Sequence, residues 1–192
     1  MQARPLLARW RARPSRAGTP SALRPWLTDP GSLTARIRAR CGQFSVSVLS
    51  QALGRAHPDE AALLGLRQGE RVWVREVLLL ADAVPVVFAR SILPYRNVRG
   101  AWNLFHGIGS RPLGAALFAD PRIERMPLAS SCLDRRDARY HRAIEASGTA
   151  DSSPRLWARR SVFRLHRRSL LVTEVFLPAI RDLSECRPLP SA

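Results

Sequence analysis

Lysine is absent from this chain. So are a membrane-length apolar run, a closely spaced cysteine pair, and any acidic residue before Asp29. Each absence bears on what the protein can do. Without lysine, all 31 basic residues are arginines, and against 15 acidic residues they give a formal charge of +16. An excess of this size first suggests a nucleic-acid surface, because clustered cations neutralise phosphates. The arginines are instead scattered along the whole chain, with no continuous basic tract and little aromatic interleaving. In a chain also rich in Ala, Leu and Pro this reads as a coding bias, and no nucleic-acid partner is expected. A basic protein still attracts small anionic substrates. The longest apolar stretches, Val77 to Ala81 and Val84 to Ala89, are broken by Asp82. They fall well short of the roughly 18 to 20 residues that a spanning helix needs, so no membrane insertion is expected.

Cys41, Cys132 and Cys186 are odd in number and far apart, and no zinc-ligand spacing joins them to His57, His106, His141 or His166. A reduced, cytoplasmic protein without a metal is the economical expectation. The acid-free amino terminus has the composition of a transit peptide. However, Pro5, Pro14, Pro20 and Pro25 interrupt it and it has no apolar core, so it reads as part of the mature protein. A length of 192 residues with 46% hydrophobic content fits one domain.

The pattern along the chain predicts a short helix over Leu6 to Arg13, with Trp26 and Leu27 anchored in the core. A helix capped by Ser32 then runs through Arg40 and stops at Gly42. Gln43 to Ser50 alternates as a half-buried strand. The connection His57 to Glu70 has room for one helical turn. Arg71 to Leu80 and Val84 to Leu93, joined by Ala81 to Ala83, predict an antiparallel hairpin. Arg111 to Phe118 reads as a short helix or turn with Pro112 at its first position, Arg122 to Ala129 as a weak strand, and Arg135 to Ala146 as a helix. A second hairpin, Trp157 to His166 and Ser169 to Pro178, turns at Arg167 and Arg168, and a Pro-rich tail follows Ile180. About six hairpin-connected strands with interspersed helices predict a single α+β domain on an antiparallel sheet. The ends, about residues 1–21 and 181–192, are expected to be loosely ordered.

Two charges stand out. In RVWVREVLLL, alternation puts Arg75 on one face with Trp73, Val77 and Leu79. In SLLVTEVFLP, Glu174 shares a face with Leu170, Val172 and Phe176. Burying either charge alone would cost several kcal/mol. They could pair with each other, Arg75 could pair with Glu76, or one could sit on a wet face. Alternatively they line a pocket in which arginine takes a carboxylate and glutamate a hydroxyl. The pattern leaves these open. His106 and His141 read as surface residues, Cys41 as a packed thiol, and Arg135, Arg136, Arg139 and Arg142 as a solvated helix face.

VWVREVLLLAD, FARSILP, RPLGAALF and LWARRSVFRL…LLVTEVFLPA, together with SLTARIRARCGQFSVSVLSQ, resemble the chorismate lyases in order and spacing from about Leu23 to Ala179. The connection from about Ser130 to Pro154 is longer than in compact members. The resemblance implies a six-stranded antiparallel sheet whose flanking helices form flaps over a buried ligand site. It also implies a cofactor-free reaction in which pyruvate is eliminated from chorismate to leave 4-hydroxybenzoate, the first committed step toward ubiquinone. On matching positions Arg75 would bind the ring carboxylate and Glu174 the ring hydroxyl, these two being the catalytic pair. Leu33 and Leu113 would add backbone contacts, and Arg90 would meet the enolpyruvyl carboxylate. A monomer is the family's default. The other readings are a sensor domain of the same fold without catalysis, and a related enzyme making another hydroxybenzoate.

Overall fold

Seven strands, two pairs of them joined by two-residue turns, build one antiparallel sheet. The computed structural model describes residues 9–15, 17–98, 102, 107, 109, 111–148 and 153–183. The helices are α1 (Arg24–Thr28), α2 (Leu33–Arg38), α3 (Pro58–Leu64), α4 (Leu113–Ala119) and α5 (Ala138–Ser147). The strands are β1 (Phe44–Gly54), β2 (Val72–Ala81), β3 (Val84–Pro94), β4 (Glu124–Arg125), β5 (Ala129–Leu133), β6 (Leu156–Leu165) and β7 (Arg168–Phe176). The sheet order is β1-β2-β3-β7-β6, with β4 and β5 lying end to end against β6.

Both strong hairpins form as the pattern predicts. The first turn is one residue tighter than expected and the second lies one residue earlier: Asp82, Ala83, His166 and Arg167 all have positive φ. Such turns match the right-handed twist of the flanking strands. The first is tied to the start of β1, where the Gln43 N–H donates to the Asp82 carboxylate at 2.7 Å.

The sheet is covered on both sides. Register places Arg75, Val77, Ala89, Ser91, Val172 and Glu174 on one face. Over that face lie α1 and α2 with Trp26, Leu27, Leu33 and Ile37, and α4 with Leu113 and Leu117. On the other face, Leu78, Phe88 and Val175 pack against Tyr140 and Ala143 of α5, and Val72, Ile92 and Leu171 against Leu64 of α3.

Four expectations change. The sheet has seven strands because the segment read as one strand, Arg122 to Ala129, splits into β4 and β5. Pro127 lies between them and has no N–H to donate to the ladder. Residues 9–13 of the expected Leu6 to Arg13 helix are not helical. Arg11 instead exchanges two backbone hydrogen bonds of 2.8 Å with Ser130. Within the amino-terminal end expected to be loose, Trp10 donates to Asp59 at 2.9 Å. Arg139 is also no solvated residue. It is 3% exposed and held by Asp59 and Asp137.

Candidate active site

The centre of the α1/α2/α4-covered face holds an enclosed, mostly apolar cavity whose walls include Leu33, Val77, Leu79, Leu113, Phe163 and Val172. Arg75 enters it from β2 at 2% exposure. Its Nη2 donates to the backbone carbonyls of Gly109 (2.9 Å) and Arg111 (3.3 Å), and its Nε has no partner among the described residues. No carboxylate of the described residues pairs with it, and burial pushes its pKa down. A buried arginine held only by carbonyls keeps its charge available for an anion.

Glu174 lines the same cavity from β7. Arg75 lies opposite Ser91, Ser91 opposite Val172, and Glu174 is two residues further along. Two strand spacings sideways and two residues lengthwise put the two Cα atoms about 12 Å apart. Side chains reaching inward from both can clasp the two ends of one small ring. Glu174 does not pair with Arg75. Its partner is Arg159, directly opposite on β6, whose Nε donates to Oε2 at 2.6 Å. Arg159 is 1% exposed and also donates to the carbonyls of Trp26 (2.8 Å) and Asp29 (3.0 Å), tying the end of α1 to the sheet. A third guanidinium, Arg125 of β4, lines the cavity as well.

The cover consists of two short helices that meet over the site. Ser32 caps α2 by accepting the Ala35 N–H at 3.3 Å. Leu33 is the first residue of α2 and Leu113 the first of α4. First-turn N–H groups have no acceptor within their own helix. Gly114 lets the helices close: a Cβ there would lie 3.2 Å from the Thr34 hydroxyl.

Of the five residues singled out from sequence, Arg75, Glu174, Leu33 and Leu113 line this cavity, and Arg90 does not. Arg90 follows Ala89 on β3 and so projects from the opposite face. There it donates to Glu60 (3.1 Å), Glu76 (2.8 Å) and the Arg55 carbonyl. It is the hub of a buried ion network, since Glu76 also binds Arg142 at 2.9 Å, and Asp59 binds both Arg139 and Arg160. Burial alone would raise the carboxyls of Asp59 and Glu76, but the surrounding arginines outweigh it and hold both below the usual range. Arg125, Arg159, Ser91 and Ser161 line the cavity without having been singled out. For Arg159 the alternation Trp157, Arg159, Ser161, Phe163 carried a signal. For Arg125, in a two-residue strand, none existed. His141 is exposed beside the Arg135 carbonyl, and Cys41 packs against the α1/α2 core. His106 lies outside the described residues. Among the described residues no three His, Cys, Asp or Glu side chains gather as a metal-binding group.

The profile of the family described as chorismate lyase matches residues 7–185. A probable chorismate pyruvate-lyase of Aromatoleum aromaticum is 68% identical over 95% of this chain and 99% of its own length. One of Azoarcus sp. is 64% identical over 92% and 94%. Among solved structures, a GntR-family transcriptional regulator from Bacillus cereus superposes with a TM-score of 0.53 at 12% identity, over 78% of this chain and 100% of that one. The C-terminal domain of the histidine utilization repressor from Pseudomonas syringae gives 0.51 at 12% identity, over 78% and 99%. The likeness to the regulators shows a shared fold.

Proposed function

The chain belongs to the chorismate lyase family, and we propose that it eliminates pyruvate from chorismate to give 4-hydroxybenzoate, the step that commits chorismate to ubiquinone. The observation that carries this reading is the cavity's charge. Among the described residues, three guanidiniums, Arg75, Arg125 and Arg159, face it with a single carboxylate, Glu174. The excess of two positive charges suits a dianion, and chorismate carries two carboxylates. Arg75 takes the ring carboxylate, for which a planar, permanently charged fork is well suited. Glu174 has one oxygen engaged by Arg159 and offers the other to the ring hydroxyl.

The chemistry asks for little more. The ether bond to the ring breaks, the proton on the hydroxyl-bearing carbon moves to the departing enolpyruvyl methylene, and the ring becomes aromatic as pyruvate forms. Atoms and charge balance without a metal or an organic cofactor. The protein's contribution is a fixed orientation in a water-poor, electrostatically matched site. Leu33 and Leu113 sit where their backbone N–H groups can add to the hold. No helix among the described residues is long and apolar enough to cross a membrane, and the reading is of a cytoplasmic monomer.

Incubating the purified protein with chorismate, without added metal, tests the proposal by following 4-hydroxybenzoate and pyruvate together. Turnover no faster than spontaneous breakdown sinks the lyase reading and favours a non-catalytic ligand-binding domain. A different hydroxybenzoate in the product fraction overturns the regiochemistry alone.

A further inference from the structure

Arg125 enters the cavity from β4, at the far side of the sheet from Arg75 on β2, and within electrostatic reach of Arg159 and Glu174. It shares the cavity wall with Phe163 and Phe118, its guanidinium carbon lying 5.4 and 5.2 Å from their ring centres. Nη1 donates to the carbonyls of Pro30 and Gly31, in the loop between α1 and α2. Its Nε is buried and has no hydrogen-bond partner, and no carboxylate of the described residues forms an ion pair with it. Burial first, and then the like charge of Arg159, push its pKa down. The charges of Glu174 and Asp29 offset this only in part.

In chorismate the enolpyruvyl ether is on the ring carbon next to the hydroxyl. With the ring carboxylate on Arg75 and the hydroxyl on Glu174, the second carboxylate must therefore lie at the Glu174 end. Arg159 is already occupied there by Glu174 and two carbonyls. Arg90, the other candidate for this task, is on the far face of the sheet. We infer that Arg125 binds the enolpyruvyl carboxylate of the substrate and so distinguishes chorismate from the 4-hydroxybenzoate left behind. Arg125 and Phe118 also line an outer groove with Leu27, Pro30 and Met126. The arm that leaves as pyruvate is thus held at the wall between cavity and surface.

This inference rests on the lyase reading, and its test separates the two. Arg125→Gln removes the charge, and Arg125→Met also keeps the aliphatic cover over the two rings in case the first variant folds poorly. Each is assayed for kcat/KM on chorismate, for 4-hydroxybenzoate affinity by calorimetry, and for inhibition by added pyruvate. Loss of one charge-assisted hydrogen-bonding partner predicts a fall of about 10- to 100-fold in kcat/KM. The affinity for 4-hydroxybenzoate, which lacks that carboxylate, should stay within about threefold, and any pyruvate inhibition seen in the wild type should weaken at least tenfold. Unchanged chorismate turnover overturns the assignment. So does a parallel loss of 4-hydroxybenzoate binding, which would make Arg125 only a strut for the α1–α2 loop. If the wild-type protein itself fails to turn over chorismate, the lyase reading falls and this inference with it.

Discussion

Replacing Arg75 by Met separates what this residue does for the ligand from what it does for the fold. The guanidinium is almost wholly buried, donates only to two backbone carbonyls, and faces no carboxylate among the described residues. Taking a charge out of water without a counter-ion costs several kcal/mol, of which two carbonyl hydrogen bonds recover only part. Methionine has a similar reach and no charge to desolvate. The ligand-free Arg75→Met protein is therefore expected to be more stable than wild type by about 1–3 kcal/mol. For a chain of this size that is about 3–10 °C in melting temperature. Binding moves the other way. A bidentate pair with the ring carboxylate comprises two charged hydrogen bonds of about 1.5–3 kcal/mol each, so kcat/KM should fall by about 10² to 10⁴. Saturating 4-hydroxybenzoate at 100 times its dissociation constant stabilises a binding-competent protein by about 2.7 kcal/mol. That increment should vanish in the variant. The assay is thermal and urea unfolding of both proteins with and without ligand, alongside turnover. A variant less stable than wild type and still stabilised by ligand would refute the reasoning, because Arg75 would then be a structural brace.

Glu174→Gln keeps the side chain's shape but leaves Arg159 buried opposite a neutral amide. We expect a loss of about 2–3 kcal/mol in urea unfolding and a drop of at least about 100-fold in kcat, with product binding partly retained; unchanged turnover would reduce Glu174 to Arg159's structural partner. Arg90→Met removes the cation that Glu60 and Glu76 share in the network beneath the sheet. It should cost about 3–5 kcal/mol of stability, while kcat/KM of the folded fraction stays within about threefold, and a selective kinetic loss would return Arg90 to the site. The pH dependence follows from Asp59 and Glu76, whose carboxyls are held below their unfolded values of about 3.9 and 4.3. Their contribution is complete above the unfolded values and is lost as pH falls through the lowered ones, so stability should drop below about pH 4. A melting temperature flat from pH 6 to pH 3 would show that the network contributes nothing.

How far the sequence could be read depends on whether parity was visible. In RVWVREVLLL and SLLVTEVFLP a single charge interrupts an apolar file, so Arg75 and Glu174 could be set on a face before any register was known. In VPVVFARSIL both files are apolar, Val86, Phe88 and Ile92 on one side and Val87, Ala89 and Leu93 on the other. A sheet covered on both faces erases the alternation that would have placed Arg90. LWARRSVFRL has adjacent arginines, one on each face, and only the pairing of Arg159 with Glu174 tells which faces the cavity. The amino-terminal segment misled because local helix propensity was outweighed by a long-range bridge to Ser130 and the docking of Trp10. Arg125 could not be read at all: its strand is two residues long and owes its place to a register 38 residues away in sequence, at Phe163.

The two faces of the sheet use the same residue type in opposite ways, and the contrast explains how a lysine-free chain with so large a charge can hold a specific site. Behind the sheet, Asp59, Glu60 and Glu76 are shared among Arg90, Arg139, Arg142 and Arg160, so each of these guanidiniums touches at least one carboxylate. Such a network is costly to assemble, and although the Arg160 Nε is also unmet, every one of its guanidiniums has a carboxylate partner. In front of the sheet, among the described residues, one carboxylate serves three guanidiniums, and Arg159 claims it. Arg75 and Arg125 are left with backbone carbonyls, each with a buried Nε unmet. An apolar cavity that holds two uncompensated arginines at opposite ends is strained until two negative charges enter it. On the proposed reading, that deficit favours a ligand with two carboxylates over either product, since 4-hydroxybenzoate and pyruvate each carry only one.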